Sequence, residues 1–259
     1  MAKQKVYKTE CNGNDFVIIM KDDFPGMLND KKIQKLCDRN EGIGADGLLL
    51  VNLQADGYDF KMDYYNNDGS WETMCANGAL CVIQVLQAKD YQFNHNKFLA
   101  GDGEHQLSIK DNLISIRMKA PSFQTEDIKV AGYIGAHIDS GAKHFVTLSS
   151  INKIDELYKI AQSIRYDDYF SPTGLNVNFL KINNAHEINV VTYEKGIEEI
   201  MRSCGSGSVA AAFYGSQQDK IQSPLTIINP GGKMELVFND DWSEVWLTSN
   251  PTIEFEINS

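Results

Sequence analysis

Positive charge is scarce in this 259-residue chain: 24 Lys and Arg stand against 35 Asp and Glu, a formal net charge of −11. Nucleic acids and anionic membranes are bound through concentrated Lys and Arg, so the composition sets both aside and favours a small-molecule partner. Long apolar runs are missing too. No stretch approaches the ~20 residues of a membrane span, and the opening MAKQKVYKTE has no signal-peptide apolar region, which predicts a cytoplasmic protein. The five cysteines, Cys11, Cys37, Cys75, Cys81 and Cys204, are odd in number and form no CxxC pair, and the five histidines are scattered. That excludes a disulfide framework and closely spaced zinc ligands. It leaves free thiols in a reducing compartment and predicts no metal site.

What is present is enough apolar sequence, 42%, to bury an ordinary core in one large or two modest domains. Short strand-like runs fill the first half: FVIIM (16–20), GLLLV (47–51), DFKMDYY (59–65), KFLA (97–100), HQLSIK (105–110) and LISIRM (113–118). Helical spacing predicts helices over 30–40 and 76–89, the second apolar nearly all round and therefore enclosed by sheet. After Ala120, Pro121 and Ser122 the pattern restarts with HFVTL, NVNFLKI, INVVTYE, LTIIN, KMELVF and EVWLTS. An amphipathic helix is expected at 154–164 and a second apolar one at 205–215. Each half reads as strands around a buried helix that starts just after a cysteine, as in a divergent internal duplication. The closing TIEFEIN reads as a strand returning to the first half. The expected domains are 1–118 with 249–259, and 119–248.

The segment GIGADG (42–47) satisfies the GxGxxG pattern, but a helix precedes it and a strand follows, the reverse of a dinucleotide-binding turn. It reads as a tight helix-to-strand turn. The cysteines opening the two apolar helices, Cys75 in TMCANGALCV and Cys204 in RSCGSGSVAAA, carry more. A thiol at a helix N-terminus is expected to have its pKa lowered, and the amides of Ala76, Asn77, Gly205 and Ser206 could hold a carboxylate. Two thiols could take a proton from one face of an amino-acid α-carbon and return one to the other. A single such cysteine is more often a small buried hydrophobe, and a Cys75–Cys204 redox pair is the other alternative.

The segments NGNDFVII, DRNEGIGADGLLL, YYNNDGSWETMCANGALC, NVNF, TYEKG and SCGSG, with VWLTSNPTIEF at the end, occur in this order and together resemble the diaminopimelate epimerase family. The resemblance implies an α+β fold of two pseudo-symmetric domains, each a curved, mostly antiparallel sheet around a central helix, with the active site in the interdomain cleft. It implies a cofactor-independent isomerase acting on a small-molecule amino-acid substrate, in a homodimer. Cys75 and Cys204 become its exchanging acid and base, assisted by Glu194 and by His144 near one thiol. Asn14, Asn66 and Asn176 become substrate-binding residues, with anion-holding turns at Ala76–Asn77 and Gly205–Ser206.

Several positions depart from the family pattern. Ala76 replaces a glycine, Leu80 an arginine and Ala142 an asparagine, while Ile200-Met201 replaces Glu-Thr. Lys195 stands where an arginine follows the glutamate, and lysine cannot reproduce the bidentate fork on a distal carboxylate. The leading expectation is epimerisation of L,L-diaminopimelate to the meso form. The alternatives are a two-thiol racemase of another amino acid, or a non-catalytic amino-acid-binding or thiol-redox protein on the same scaffold.

Overall fold

The computed structural model describes residues 5–24, 26, 28–151, 153–218 and 220–258. The chain forms two compact units, Met1–Arg117 with Thr248–Ser259, and Met118–Leu247. The first contains β1 (Lys5–Cys11), β2 (Asn14–Met20), α1 (Asp30–Cys37), β3 (Gly47–Asn52), β4 (Phe60–Asn66), β5 (Trp71–Glu72), α2 (Ala76–Ala88), β6 (Lys97–Ala100), β7 (Gly103–Lys110) and β8 (Leu113–Arg117). The second contains β9 (Ser122–Phe123), β10 (Ile128–Val130), β11 (Tyr133–Asp139), β12 (Lys143–Leu148), α3 (Ile154–Arg165), β13 (Asn176–Asn184), β14 (Glu187–Glu194), β15 (Glu199–Met201), α4 (Gly205–Ser216), β16 (Leu225–Asn229) and β17 (Gly232–Phe238). Strand β18 (Val245–Ser249) carries the chain back to the first unit, where β19 (Thr252–Asn258) pairs antiparallel with β1.

The two units repeat one wiring. In the first, β1–β2 is antiparallel, β2–β3 parallel around α1, β3–β4 antiparallel, β4–β6 parallel around α2, and β6–β7 antiparallel. In the second, β11–β12, β12–β13 around α3, β13–β14, β14–β16 around α4, and β16–β17 follow the same sequence of senses. The fold is α+β, and the duplication expected from element order extends to strand direction and crossover position.

Alternation along the strands assigns their two faces. Val17, Ile19 and Leu48 pack with Ile33 and Cys37 of α1, and Phe145, Val177 and Phe179 pack with Leu157, Ala161 and Ile164 of α3. The opposite faces receive α2 and α4, which are buried along almost their whole length. In α2 the fully enclosed Leu80, Val82, Ile83 and Leu86 contribute roughly 1.5–3 kcal/mol each, which outweighs the ~1 kcal/mol that Gly78 costs inside a helix. The helix stops where Asp90 turns left-handed (φ 56°) and the Tyr91 N–H returns to the Leu86 carbonyl. Leu80, which stands where the family pattern has an arginine, is a core side chain with no exposed surface.

Helix α1 ends at Cys37, earlier than the 30–40 span expected. The carbonyls of Leu36 and Cys37 accept from the N–H groups of Ile43, Gly44 and Ala45, while the Asp38 carboxylate takes those of Asn40 and Glu41. The chain therefore folds back over the helix end. A Cβ at Gly42 would lie 2.0 Å from the Lys35 carbonyl oxygen, so only glycine fits this return. The turn delivers Asp46 to the start of β3.

Candidate active site

Cys75 and Cys204 occupy the same place in their units. Each is the N-cap of the central helix in an extended conformation, with φ −134° at Cys75 and −142° at Cys204. Their carbonyls accept the N–H groups of Ala79 and Ser208 at 2.9 Å. The first-turn residues Ala76, Asn77 and Gly205 are buried and Ser206 is half-buried, so their amides sit at the positive end of a helix beside each sulfur.

Around Cys75, the Sγ–H donates to Asn14 Oδ1 at 3.8 Å. Asn14 starts β2, and its Nδ2 donates to Asp46 Oδ2 at 2.8 Å. Asp46 Oδ1 accepts from Arg39 at 2.6 Å, and Arg39 also grips both oxygens of Asp15. The buried Lys8 completes the group through Asp15 and the Gly44 carbonyl. Burial works against the Asp15 charge, but hydrogen bonds and charge from Arg39 and Lys8 prevail and hold its carboxyl well below the usual range. Asn66, paired with Gly47 across β3 and β4, accepts from the Tyr64 hydroxyl at 2.8 Å and donates to Ser70 Oγ at 3.1 Å.

Around Cys204 the chain of described hydrogen-bond partners is neutral. His144 lies in β12 with no exposed surface, and its Nδ1 accepts from Asn178 Nδ2 at 2.8 Å. The ring proton is therefore on Nε2, which donates to Ser206 Oγ at 3.0 Å. That leaves the Ser206 hydroxyl proton for Cys204 Sγ, 3.6 Å away. Ser140 Oγ donates to the Ser206 carbonyl at 2.8 Å and ties down the same turn. Burial pushes the His144 pKa down to about 3, so the ring is neutral at physiological pH. His144, expected to assist near one thiol, reaches Cys204 through Ser206 because α4 places the serine between them.

The expectation of a lowered thiol pKa fails at Cys204. Although the residue is only half-buried, desolvation of Sγ and then the Glu194 carboxylate push the thiol up to about 12. The Ser206 hydroxyl and the Gly207 and Ser206 amides pull the other way without prevailing. Asn176, registered opposite His144, accepts the Lys195 backbone N–H at 2.8 Å, while Lys195 itself is exposed. Ala142 is half-buried in the β11–β12 hairpin. Sequence reasoning missed Asp46, Arg39, Asp15 and Lys8, along with Ser140 and Asn178. The signal for Asp46 and Arg39 lay in DRNEGIGADG, a segment that carries part of the family resemblance and whose glycines read as a turn. Among the described residues, no group of three or more His, Cys, Asp or Glu is placed to hold a metal ion.

The fold of two such units is shared by solved structures of a racemase and an epimerase. The solved structure of a probable proline racemase from Agrobacterium radiobacter superposes with a TM-score of 0.73 at 11% identity, covering 99% of this chain and 92% of that one. A hydroxyproline epimerase from Agrobacterium vitis superposes with the same TM-score at 10% identity, covering 100% and 91%. The profile of the family described as diaminopimelate epimerase matches residues 6–123. A diaminopimelate epimerase of Flavobacterium psychrophilum is 36% identical over 242 residues, 92% of this chain and 91% of that protein. The chain belongs to the diaminopimelate epimerase family and is an isomerase. Among the described residues no helix is long and apolar enough to cross a membrane.

Proposed function

We propose that the chain interconverts L,L- and meso-diaminopimelate without a cofactor, serving lysine and cell-wall precursor synthesis, as a cytoplasmic homodimer. In the direction where Cys204 is the base, its thiolate removes the α-hydrogen from one face. Cys75 then gives its thiol proton to the other face, and the roles exchange in reverse. The substrate carboxylate takes the amides of Ala76, Asn77, Gly205 and Ser206, which stabilise the charge that builds as the α-carbon is deprotonated. Asn14, Asn66 and Asn176 orient the substrate, and Lys195 with Glu194 lies toward it.

The observation that carries this reading is the pair of thiols capping equivalent helices with opposite hydrogen-bond partners: an acceptor, Asn14, at Cys75 and a donor, Ser206, at Cys204. A thiol held up to about 12 is a poor base in the empty protein. The Glu194 carboxylate is one cause of that shift, and pairing it with the substrate ammonium removes the opposing charge when a base is needed. Deuterium incorporation at the α-carbon of diaminopimelate in heavy water tests the proposal. Exchange by the wild type, with interconversion of the two isomers lost in both Cys75→Ser and Cys204→Ser, is the expected outcome.

A second reading, racemisation of another amino acid by the same thiols, is favoured by Lys195 and Ala142 at positions where the family pattern has Arg and Asn. Exchange with another amino acid in a substrate panel, and none with diaminopimelate, would select it.

A further inference from the structure

The GIGADG turn has no part in the reaction proposed above, yet it carries Asp46, whose contacts point in one direction. Oδ1 accepts from Arg39 at 2.6 Å, and Oδ2 accepts from Asn14 Nδ2 at 2.8 Å and from the Asp15 backbone N–H at 3.2 Å. The Asp46 N–H is bonded to the Asp15 carbonyl and carboxylate, both at 3.0 Å, and its carbonyl accepts from Asn67 at 3.1 Å. A carboxylate can only accept, so Asn14 must present its NH2 to Asp46 and its oxygen to Cys75. An oxygen beside Sγ accepts the thiol proton and disfavours the thiolate. The opposite amide orientation would donate to the thiolate and favour it.

We propose that Asp46 is a positioning residue for Cys75: clamped by Arg39, it fixes the Asn14 amide with its oxygen toward Sγ and so holds Cys75 protonated. Its value as the proton donor rests on the two-thiol reading; the effect on the thiol does not. The charged groups of the clamp are Arg39, Asp15 and Lys8.

Asp46→Asn tests this with volume conserved. With Arg39 on the new amide's oxygen, its NH2 turns to Asn14 and the Asp15 N–H loses its acceptor; Asn14 then flips and donates to Sγ. Alkylation by iodoacetamide, followed cysteine by cysteine by mass spectrometry on the full chain without substrate, should rise about tenfold at Cys75 at neutral pH. Ultraviolet thiolate absorbance should rise with it. The buried Cys37 and Cys81 act as internal controls for opening of the fold and should not change. Asn14→Ala alone should give a smaller rise, and adding Asp46→Asn to it should give nothing further. Unchanged Cys75 reactivity in Asp46→Asn would overturn the proposal. So would a parallel rise at Cys37 and Cys81, or an equal increment in the Asn14→Ala background. If Asp46→Asn does not fold, unchanged Cys75 reactivity in Asn14→Ala overturns it instead. None of these readouts needs epimerase activity, so they stand or fall apart from the proposed reaction.

Discussion

Beneath α2 the sheet places Phe16 and Leu49 where the equivalent positions beneath α4 carry the polar His144 and Asn178. Phe16 faces Gly47 across the parallel β2–β3 pair as His144 faces Asn176 across β12–β13, and Leu49 faces Tyr64 as Asn178 faces Thr192. A Cβ on Gly78 would meet the Leu49 methyls at 3.1 and 3.2 Å, whereas one on Gly207 would meet Asn178 Oδ1 at 2.6 Å and Thr192 Oγ1 at 2.9 Å. One wiring thus supports a helix-capping thiol in two ways. At Cys75 the support is ionic, running from Lys8 and Arg39 through Asp15 and Asp46 to Asn14. At Cys204 it is neutral and buried, running from Asn178 through His144 to Ser206. Charged groups suit the first location because Arg39 stays more than half exposed. At the second, a charge would bear the full desolvation cost, and a neutral imidazole with both nitrogens bonded does not.

The comparison can be broken most strongly at the thiols. Cys75→Ser and Cys204→Ser should each lower the rate by about 10²–10⁴-fold or more, since each removes a proton-transfer group. Interconversion of the two stereoisomers checks this, and retained interconversion in either variant would mean that the units do not divide acid and base between them.

Next in size is the pH dependence of stability set by His144. Its folded pKa, about 3, lies below the ordinary value near 6.5, so the unfolded chain binds the extra proton first as pH falls. Stability should be full above pH 6.5 and should drop through the window down to about 3, by roughly 3–5 kcal/mol from this group. Urea unfolding of wild type and of His144→Phe, which imports the residue found at position 16, measures it. The variant should be less stable at neutral pH, and the slope in that window should flatten.

Asp15 gives a smaller effect with the same sign. Its carboxyl is held below the usual range, so its contribution is present above the unfolded value near 3.9 and is lost as pH falls through the folded one. Arg39→Ala should destabilise by about 1 kcal/mol at neutral pH, because the guanidinium is largely solvent-screened, and the gap from wild type should close in acid. A gap constant down to acid pH would remove the ionic half of the comparison.

Ser206→Ala should have the smallest effect on fold and a graded one on rate. Losing the hydroxyl donor at Cys204 should slow exchange about tenfold with the melting temperature nearly unchanged. An equal loss when the same change is made in His144→Phe would show that the serine acts independently of the imidazole.

Much of this was legible in the chain. The two cysteine-headed apolar helices, the restart of strand pattern after residue 120 and the glycine turn before β3 are local signals, because periodicity and turn chemistry act within a few residues. The direction of the Cys204 shift was not legible. A helix N-terminus lowers a thiol pKa through nearby amides, whereas the opposing burial and the Glu194 charge come from chain segments folded against it. The role of His144 through Ser206 was hidden for the same reason. Asn178 stood in view within NVNF, but its task depends on which strand lies beside β13.

The sequence by itself determined which elements form, that they come in two matching sets, and which two thiols cap the central helices. Only the tertiary structure decided what each thiol faces: an amide oxygen fixed by Asp46 at Cys75, and a hydroxyl proton released by a neutral His144 at Cys204. Hydrogen-bond direction and desolvation are set by groups distant in sequence, and those groups meet only when the sheet is assembled.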